Sequence, residues 1–198
     1  MMHIEKELEF KSLIEEKKFN ELNMYFSLIG SKKESYLQTN YYFDDEQRSL
    51  NEQGITLRLR CKKEQREVTV KLPSHKKAAF SESTEYNQSL SEEEAKRLIE
   101  EGIQLDHPFI QTIMETTSLS FEESFYHIGS LQTERHDFIF YTDTISLDKS
   151  MYNGVTDYEV EWETSNPNFV QMHMKQLNLS IGNGKGKRKR FLKTLKSL

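Results

Sequence analysis

Polar and apolar residues alternate with a period of two along stretch after stretch of this chain, and the polar alternates are mostly charged. Successive side chains of a strand point to opposite faces, so residues two apart share a face. His3 to Lys11 places Glu5, Glu7, Glu9 and Lys11 on one side and Ile4, Leu8 and Phe10 on the other. Ile55 to Lys62 sets Thr56, Arg58, Arg60 and Lys62 against Ile55, Leu57, Leu59 and Cys61. Glu67 to Leu72 sets Glu67, Thr69 and Lys71 against Val68, Val70 and Leu72. Thr142, Thr144, Ser146 and Asp148 oppose Ile139, Tyr141, Ile145 and Leu147, and Glu159, Glu161 and Glu163 oppose Tyr158, Val160 and Trp162.

A half-buried antiparallel sheet with one wet face alternates in the same way. Here, however, the wet-face residues are charged or hydroxyl-bearing and are segregated by strand into cationic (58–62) and anionic (159–163) sets. Amphipathic helices between the strands must cover the apolar faces. If the sheet curls with its helices outside, the charged faces line an interior.

The remaining pattern supplies those helices. Ser12 with Glu15 reads as a capping box opening a helix to about Ile29, and Ser91 with Glu94 as a second, for a helix ending at Gly102. Shorter helices are predicted from about His107 to Glu115, over Pro167–Leu177, and after the glycine-rich turn near the C-terminus. Further strands are expected over 34–43, Ser81–Ser89, 121–136, 138–148 and 155–163, with a hairpin turn at Lys63-Glu64-Gln65-Arg66. About eight strands and four or five helices make an α+β chain dominated by an antiparallel sheet or barrel, expected to form one domain over 1–198.

Composition narrows the chemistry. Cys61 is the only cysteine, so no intrachain disulfide or cysteine-based zinc site can form, and the histidines lack metal-ligand spacing. A metal would be held by oxygen, favouring Mg²⁺, Mn²⁺ or Ca²⁺. No run approaches a membrane span and the N-terminus is charged where a signal peptide is apolar, so the expected compartment is the cytoplasm. The 27 Lys and Arg against 32 Asp and Glu, with pI about 5.8, argue against a bulk nucleic-acid binder. Cys61 and Trp162 read as packing residues, whereas His136 adjoins Arg135 and is a candidate for the mouth of an interior space.

Burying an isolated ion costs several kcal/mol even after relaxation, so an interior with both charges calls for pairing, water or a ligand. Arginine forks suit phosphate, and carboxylates among them suit Mg²⁺ or Mn²⁺ bridging to phosphate oxygens. The pattern therefore predicts a metal-dependent site for a polyphosphate. No P-loop is present.

Glu7-Leu8-Glu9-Phe10-Lys11 forms an E-x-E-x-K motif, followed in order by Gly54–Arg60, Val68–Lys71 and Asp157–Glu161. Together these strongly resemble the CYTH family, the triphosphate tunnel metalloenzymes, and in particular its small single-domain bacterial members. The resemblance implies an eight-stranded antiparallel β-barrel with helices packed outside and a tunnel that binds triphosphate. It implies that Arg58, Arg60, Lys71 and Arg135 hold phosphate oxygens, with Lys11 near them. It gives Glu7, Glu9, Glu159 and Glu161 to one or two Mg²⁺ or Mn²⁺ ions, with Asp148 and Glu85 completing the acidic set; Glu85 is preferred to Glu82 by motif position. Of these, Lys11, Glu159 and Glu161 are the candidates closest to catalysis. The family's C-terminal lysine is matched best by Lys187 and next by Lys185, in a run that otherwise reads as a solvated basic helix start. The implied activity is metal-dependent hydrolysis of inorganic, organic or nucleoside triphosphate. The alternatives are an adenylate cyclase of the class IV type and a non-catalytic sensor of polyphosphate or a nucleotide.

Overall fold

The computed structural model describes residues 2–77, 80–180, 182 and 186–195. Along the chain run β1 (His3–Ile14), α1 (Glu16–Ile29), β2 (Ser31–Asp44), α2 (Ser49–Glu52), β3 (Thr56–Lys62), β4 (Gln65–Lys77) and β5 (Phe80–Ser89). There follow α3 (Glu92–Glu101), α4 (Pro108–Thr117), β6 (Tyr126–Phe140), β7 (Asp143–Tyr152), β8 (Val155–Glu163), α5 (Pro167–Gln176) and α6 (Lys187–Leu195). The strands close into a barrel in the order β1-β5-β4-β3-β2-β6-β7-β8. Closure leaves no unpaired sheet edge, and the period-two alternation becomes an inside and an outside. Among the described residues no helix is long and apolar enough to cross a membrane.

Several expected boundaries move, each for a backbone reason. Ser12 does not cap a helix: it is fully buried within β1, opposite Val160 of β8, and the ladder continues to the pair Ile14–Tyr158. A run of strand hydrogen bonds outweighs one capping bond, so α1 starts after Glu15, whose side chain makes no cap bond. The β3–β4 turn is only Lys63-Glu64, because Lys63 takes φ 51° and pairing resumes at Lys62–Gln65. The expected break at 137 is also absent. β6 runs through to Phe140, and Asp137 is held in the strand by Tyr36 (3.0 Å) and Ser146 (2.7 Å). Tyr141, expected on an apolar strand face, instead forms the β6–β7 turn at φ 55° and is 75% exposed. The Ser91–Glu94 capping box is present as expected, with both reciprocal bonds.

The chain folds as two compact units, Met1–Lys6 with Thr39–Pro73 and Ser83–Ser130, and Glu7–Gln38 with Ser74–Glu82 and Leu131–Leu198. In the first, α3 and α4 pack Leu98, Phe109, Ile110 and Ile113 onto Leu57, Leu59, Val68 and Val70 of β3 and β4. In the second, Phe19, Leu22 and Phe26 of α1 and Val170 and Met174 of α5 cover Phe10, Phe138, Ile145, Leu147, Val160 and Trp162. Trp162 is fully buried, as expected, and its Nε1 donates to Asp143 at 2.8 Å. His136 lies on this helix-covered side, bonded to Asn23 of α1 (2.8 Å) and edge-on to Phe19, so it does not sit at a tunnel mouth. Each helix-covered strand face is dry, which leaves the charged alternates on the inner face.

Gly102 ends α3 at φ 80°, and a Cβ there would lie 2.5 Å from the Phe125 carbonyl oxygen, beside the Ile103–Phe125 bridge. Backbone cannot yield as a flexible side chain can. Gly102→Ala is therefore expected to destabilise the protein by more than about 1 kcal/mol, read as a lowered urea midpoint at unchanged slope.

Candidate active site

Strand register arranges the second unit's charges in rows. Across β6, β7 and β8, Arg135 faces Asp148 and Asp148 faces Glu159. One step along, Lys11 faces Glu161 and Glu161 faces Ser146. The three acids are 0%, 1% and 6% exposed for Asp148, Glu159 and Glu161, so each needs a partner. Their carboxylates converge: one oxygen from each lies within 4.8 Å of the others.

Arg135, Lys11, Lys187 and Arg190 are among the described cations that surround them. Arg135 forks onto Asp148 (Nε–Oδ1 2.7 Å, Nη2–Oδ2 2.5 Å) and reaches Glu161 Oε2 at 2.5 Å. Lys11 bonds Glu161 Oε1 at 2.8 Å and approaches Glu9 Oε1 at 3.2 Å. Lys187, the first residue of α6, brings its Nζ to Asp148 Oδ2 (2.5 Å), Glu161 Oε1 (2.8 Å) and Glu159 Oε1. Arg190, one helical turn later, bonds Glu159 Oε2 and both oxygens of Asp157 (2.8 and 3.0 Å). Tyr152 Oη donates to Asp157 at 2.5 Å, and Phe191 packs edge-on to the Tyr152 ring.

The protonation states follow from this crowding. Burial opposes ionisation of Glu161, yet Lys11, Lys187 and Arg135 together hold it well below the usual carboxylate range. Asp148 is held down by Arg135 and Lys187 against the same burial. In Glu159 burial prevails over Lys187 and the negative Glu161 adds to it, so this carboxyl is raised. Burial works against charge on Lys11 too, but Glu161 and Glu9 keep its ammonium raised well above its ordinary value. Burial and the bond to Asp157 push Tyr152 up to about 12.

In the first unit a second set forms on β3, β4 and β5. Arg58 Nη2 meets Glu85 Oε2 at 3.0 Å and Lys71 Nζ meets Glu85 Oε1 at 2.8 Å. Arg60 donates through Nε to Asn40 at 3.2 Å. Glu85 is 3% exposed, and Arg58 and Lys71 overcome its burial to bring it to about 2.

Of the residues singled out in the sequence, Glu9, Lys11, Arg135, Asp148, Glu159, Glu161 and Lys187 therefore meet in one unit. Arg58, Lys71 and Glu85 meet in the other, with Arg60 near enough to lower Glu85 as well. Glu7 is partly buried and acts electrostatically on Glu163. Lys185 lies outside the described residues. Sequence reasoning passed over Arg190, Asp157 and Tyr152, although Arg190 stands three after Lys187 on one helix face and Asp157 shares its parity with Glu159.

The sequence profile of the CYTH domain matches residues 5–189. Among solved structures, a candidate adenylate cyclase from Bacillus halodurans is 28% identical, with a TM-score of 0.77 over 95% of this chain and 98% of its own. A candidate adenylyl cyclase from Hippeastrum with a dominant triphosphatase activity is 18% identical, with a TM-score of 0.79 over 95% of this chain and 96% of its own. A protein from Pyrococcus horikoshii shares the fold at 17% identity and a TM-score of 0.58, over 88% of this chain and 91% of its own. No curated protein matches the sequence.

Glu163 continues the parity of Glu159 and Glu161 and stands opposite Glu9 in the β1–β8 ladder. Burial, then the negative Glu7 and Glu161, push its carboxyl up to about 7. A carboxyl raised by folding favours the native state below its unfolded value, and that contribution disappears as pH rises through the folded value. The midpoint of metal-free thermal unfolding is expected to fall between pH 4.5 and about 7. Glu163→Gln should remove most of that slope; a variant with the wild-type slope would show that another group carries it.

Proposed function

Because the chain belongs to the CYTH domain family, we propose that it is a metal-dependent hydrolase of triphosphates. The observation that carries this reading is the convergence of Asp148, Glu159 and Glu161, all buried, with Arg135, Lys11 and Lys187 around them. The three carboxylates form an all-oxygen donor set, and a cationic nitrogen already sits against one oxygen of each. Mg²⁺ or Mn²⁺ therefore fits there. Bound by these residues, directly or through water, the ion would neutralise phosphate oxygens and polarise the phosphorus they surround. Glu7 and Glu9 are assigned to a second ion.

Phosphoryl transfer is mostly positioning and charge neutralisation. Arg58, Arg60, Lys71 and Arg135 are assigned to the phosphate oxygens, where a fixed guanidinium fork gives bidentate bonds. Glu85 holds Arg58 and Lys71 in place before substrate arrives. Lys11, kept protonated by Glu161 and Glu9, supplies a further fixed positive charge. Glu159, whose carboxylate stands beside that of Glu161 in the trio, is assigned to orient water. Water oxygen bonds to the terminal phosphorus and the bridging P–O bond breaks, its electron pair leaving with the departing phosphate chain. The proton passes to solvent through the carboxylate, and orthophosphate is released.

Inorganic triphosphate and ATP, each supplied with Mg²⁺ or Mn²⁺, are expected to yield orthophosphate. Cyclic AMP with pyrophosphate would identify a cyclase instead, and binding without turnover a sensor. Arg58→Ala combined with Arg60→Ala should lower kcat/KM by about 10²-fold or more while the unfolding transition stays cooperative. Full activity in that folded variant would remove β3 from the phosphate site.

A further inference from the structure

The three converging acids offer six carboxylate oxygens, and every one is already met by a cation. Arg135 takes both oxygens of Asp148 and Glu161 Oε2, Lys11 takes Glu161 Oε1, and Arg190 takes Glu159 Oε2. A divalent ion that takes one oxygen from each acid therefore competes with whichever cation already holds that shared position. Among the described contacts one nitrogen touches all three carboxylates at once, and it is Lys187 Nζ.

We infer that Lys187 is an exchangeable cation: its ammonium fills the centre of Asp148, Glu159 and Glu161 in the free protein, and a divalent ion binds there by displacing it. The inference rests on reading this trio as a metal-holding set. The other three cations are poor candidates for displacement. Arg135 is fixed by a two-pronged fork, Arg190 is braced by both oxygens of Asp157, and Lys11, though also a lysine, bonds only Glu161 of the trio and leans on Glu9 outside it. Lys187 alone among these four meets all three acids. A lysine is a compact point charge on a flexible stem, with no planar fork to hold its direction. It is also the first residue of α6, so its side chain can swing while Phe191 and Arg190 keep the helix docked.

The exchange has a directional consequence. Moving Lys187 frees one position on each of Asp148 Oδ2, Glu159 Oε1 and Glu161 Oε1, the set of single oxygens a hard ion takes from three acids. It also leaves an ammonium seeking an anion in a site that has just gained two positive charges. A polyphosphate satisfies it; solvent does so poorly in a buried setting. Lys187 is thus expected to guard the trio in the free protein and turn to the phosphate chain once the ion is in place. Ion and anion then load cooperatively.

Mn²⁺ binding, measured without any triphosphate by the loss of the free-ion electron paramagnetic resonance signal, tests this directly. Lys187→Met should bind Mn²⁺ at least about tenfold more tightly than wild type, since a competing unit charge a few ångströms away has been removed. Equal or weaker binding overturns the exchange. Absence of Mn²⁺ binding to both proteins would overturn the exchange and the metal assignment together, whereas the arginine variants test the phosphate reading separately. Should the variant fail to fold, wild-type lysine footprinting decides. Acetylation at Lys187 should rise severalfold on saturation with Mn²⁺, and unchanged labelling counts against displacement.

Discussion

Every other feature of this barrel depends on the pairing of buried carboxylates with buried cations. Closure into eight strands gives each strand an outer and an inner face, and the outer face is dry where the helices cover it. The outer alternates are satisfied by helices and the inner ones are charged, so the sheet cannot close around them unless each ion finds a partner nearby. Asp148 at 0% and Glu159 at 1% exposure would each cost several kcal/mol alone. Arg135, Lys11, Lys187 and Arg190 offset that cost in the second unit, and Arg58 and Lys71 do so for Glu85 in the first.

This dependence gives α6 its importance. A basic helix at the end of a chain is usually a solvated one, yet two of its cations are bonded to the acids of β8. Phe191, fully buried, anchors the helix, so that its first residue can be committed to the trio without the fold depending on that one contact. Arg190 and Lys187 thus divide the work: the fork braces Glu159 against Asp157, and the flexible ammonium meets all three acids at once. Rigid and exchangeable charge stand one turn apart on a single helix.

The candidate site was legible wherever parity sufficed. Glu159, Glu161, Arg58, Arg60, Lys71 and Lys11 could be placed on charged faces because a strand's period is two and a one-residue slip would bury them under the helices. Parity also put Asp148 on a polar face, and the family resemblance gave it a site role and added Arg135, Glu85 and Lys187. Local signals failed where a ladder competed with them. Ser12 and Glu15 have the spacing of a capping box, but β1 finds β8 as far as Ile14, and those pairings lie about 150 positions away in sequence. Likewise the strand break expected at 137 is absent, because Tyr36 and Ser146 supply Asp137 with donors inside the strand.

By itself, then, the sequence determined which residues share a face, that the charged faces are too numerous for one solvated sheet, and that a single cysteine can form no intrachain disulfide. Those conclusions need only the geometry of the strand and the chemistry of the side chains. The tertiary structure decided which cation meets which acid. It grouped Arg58 and Lys71 on Glu85, placed Asp148 between Arg135 and Glu159, and set Lys187 and Arg190 against β8. The reason is that pairing energies depend on distance and burial, and both are fixed only when strands far apart in sequence come into register.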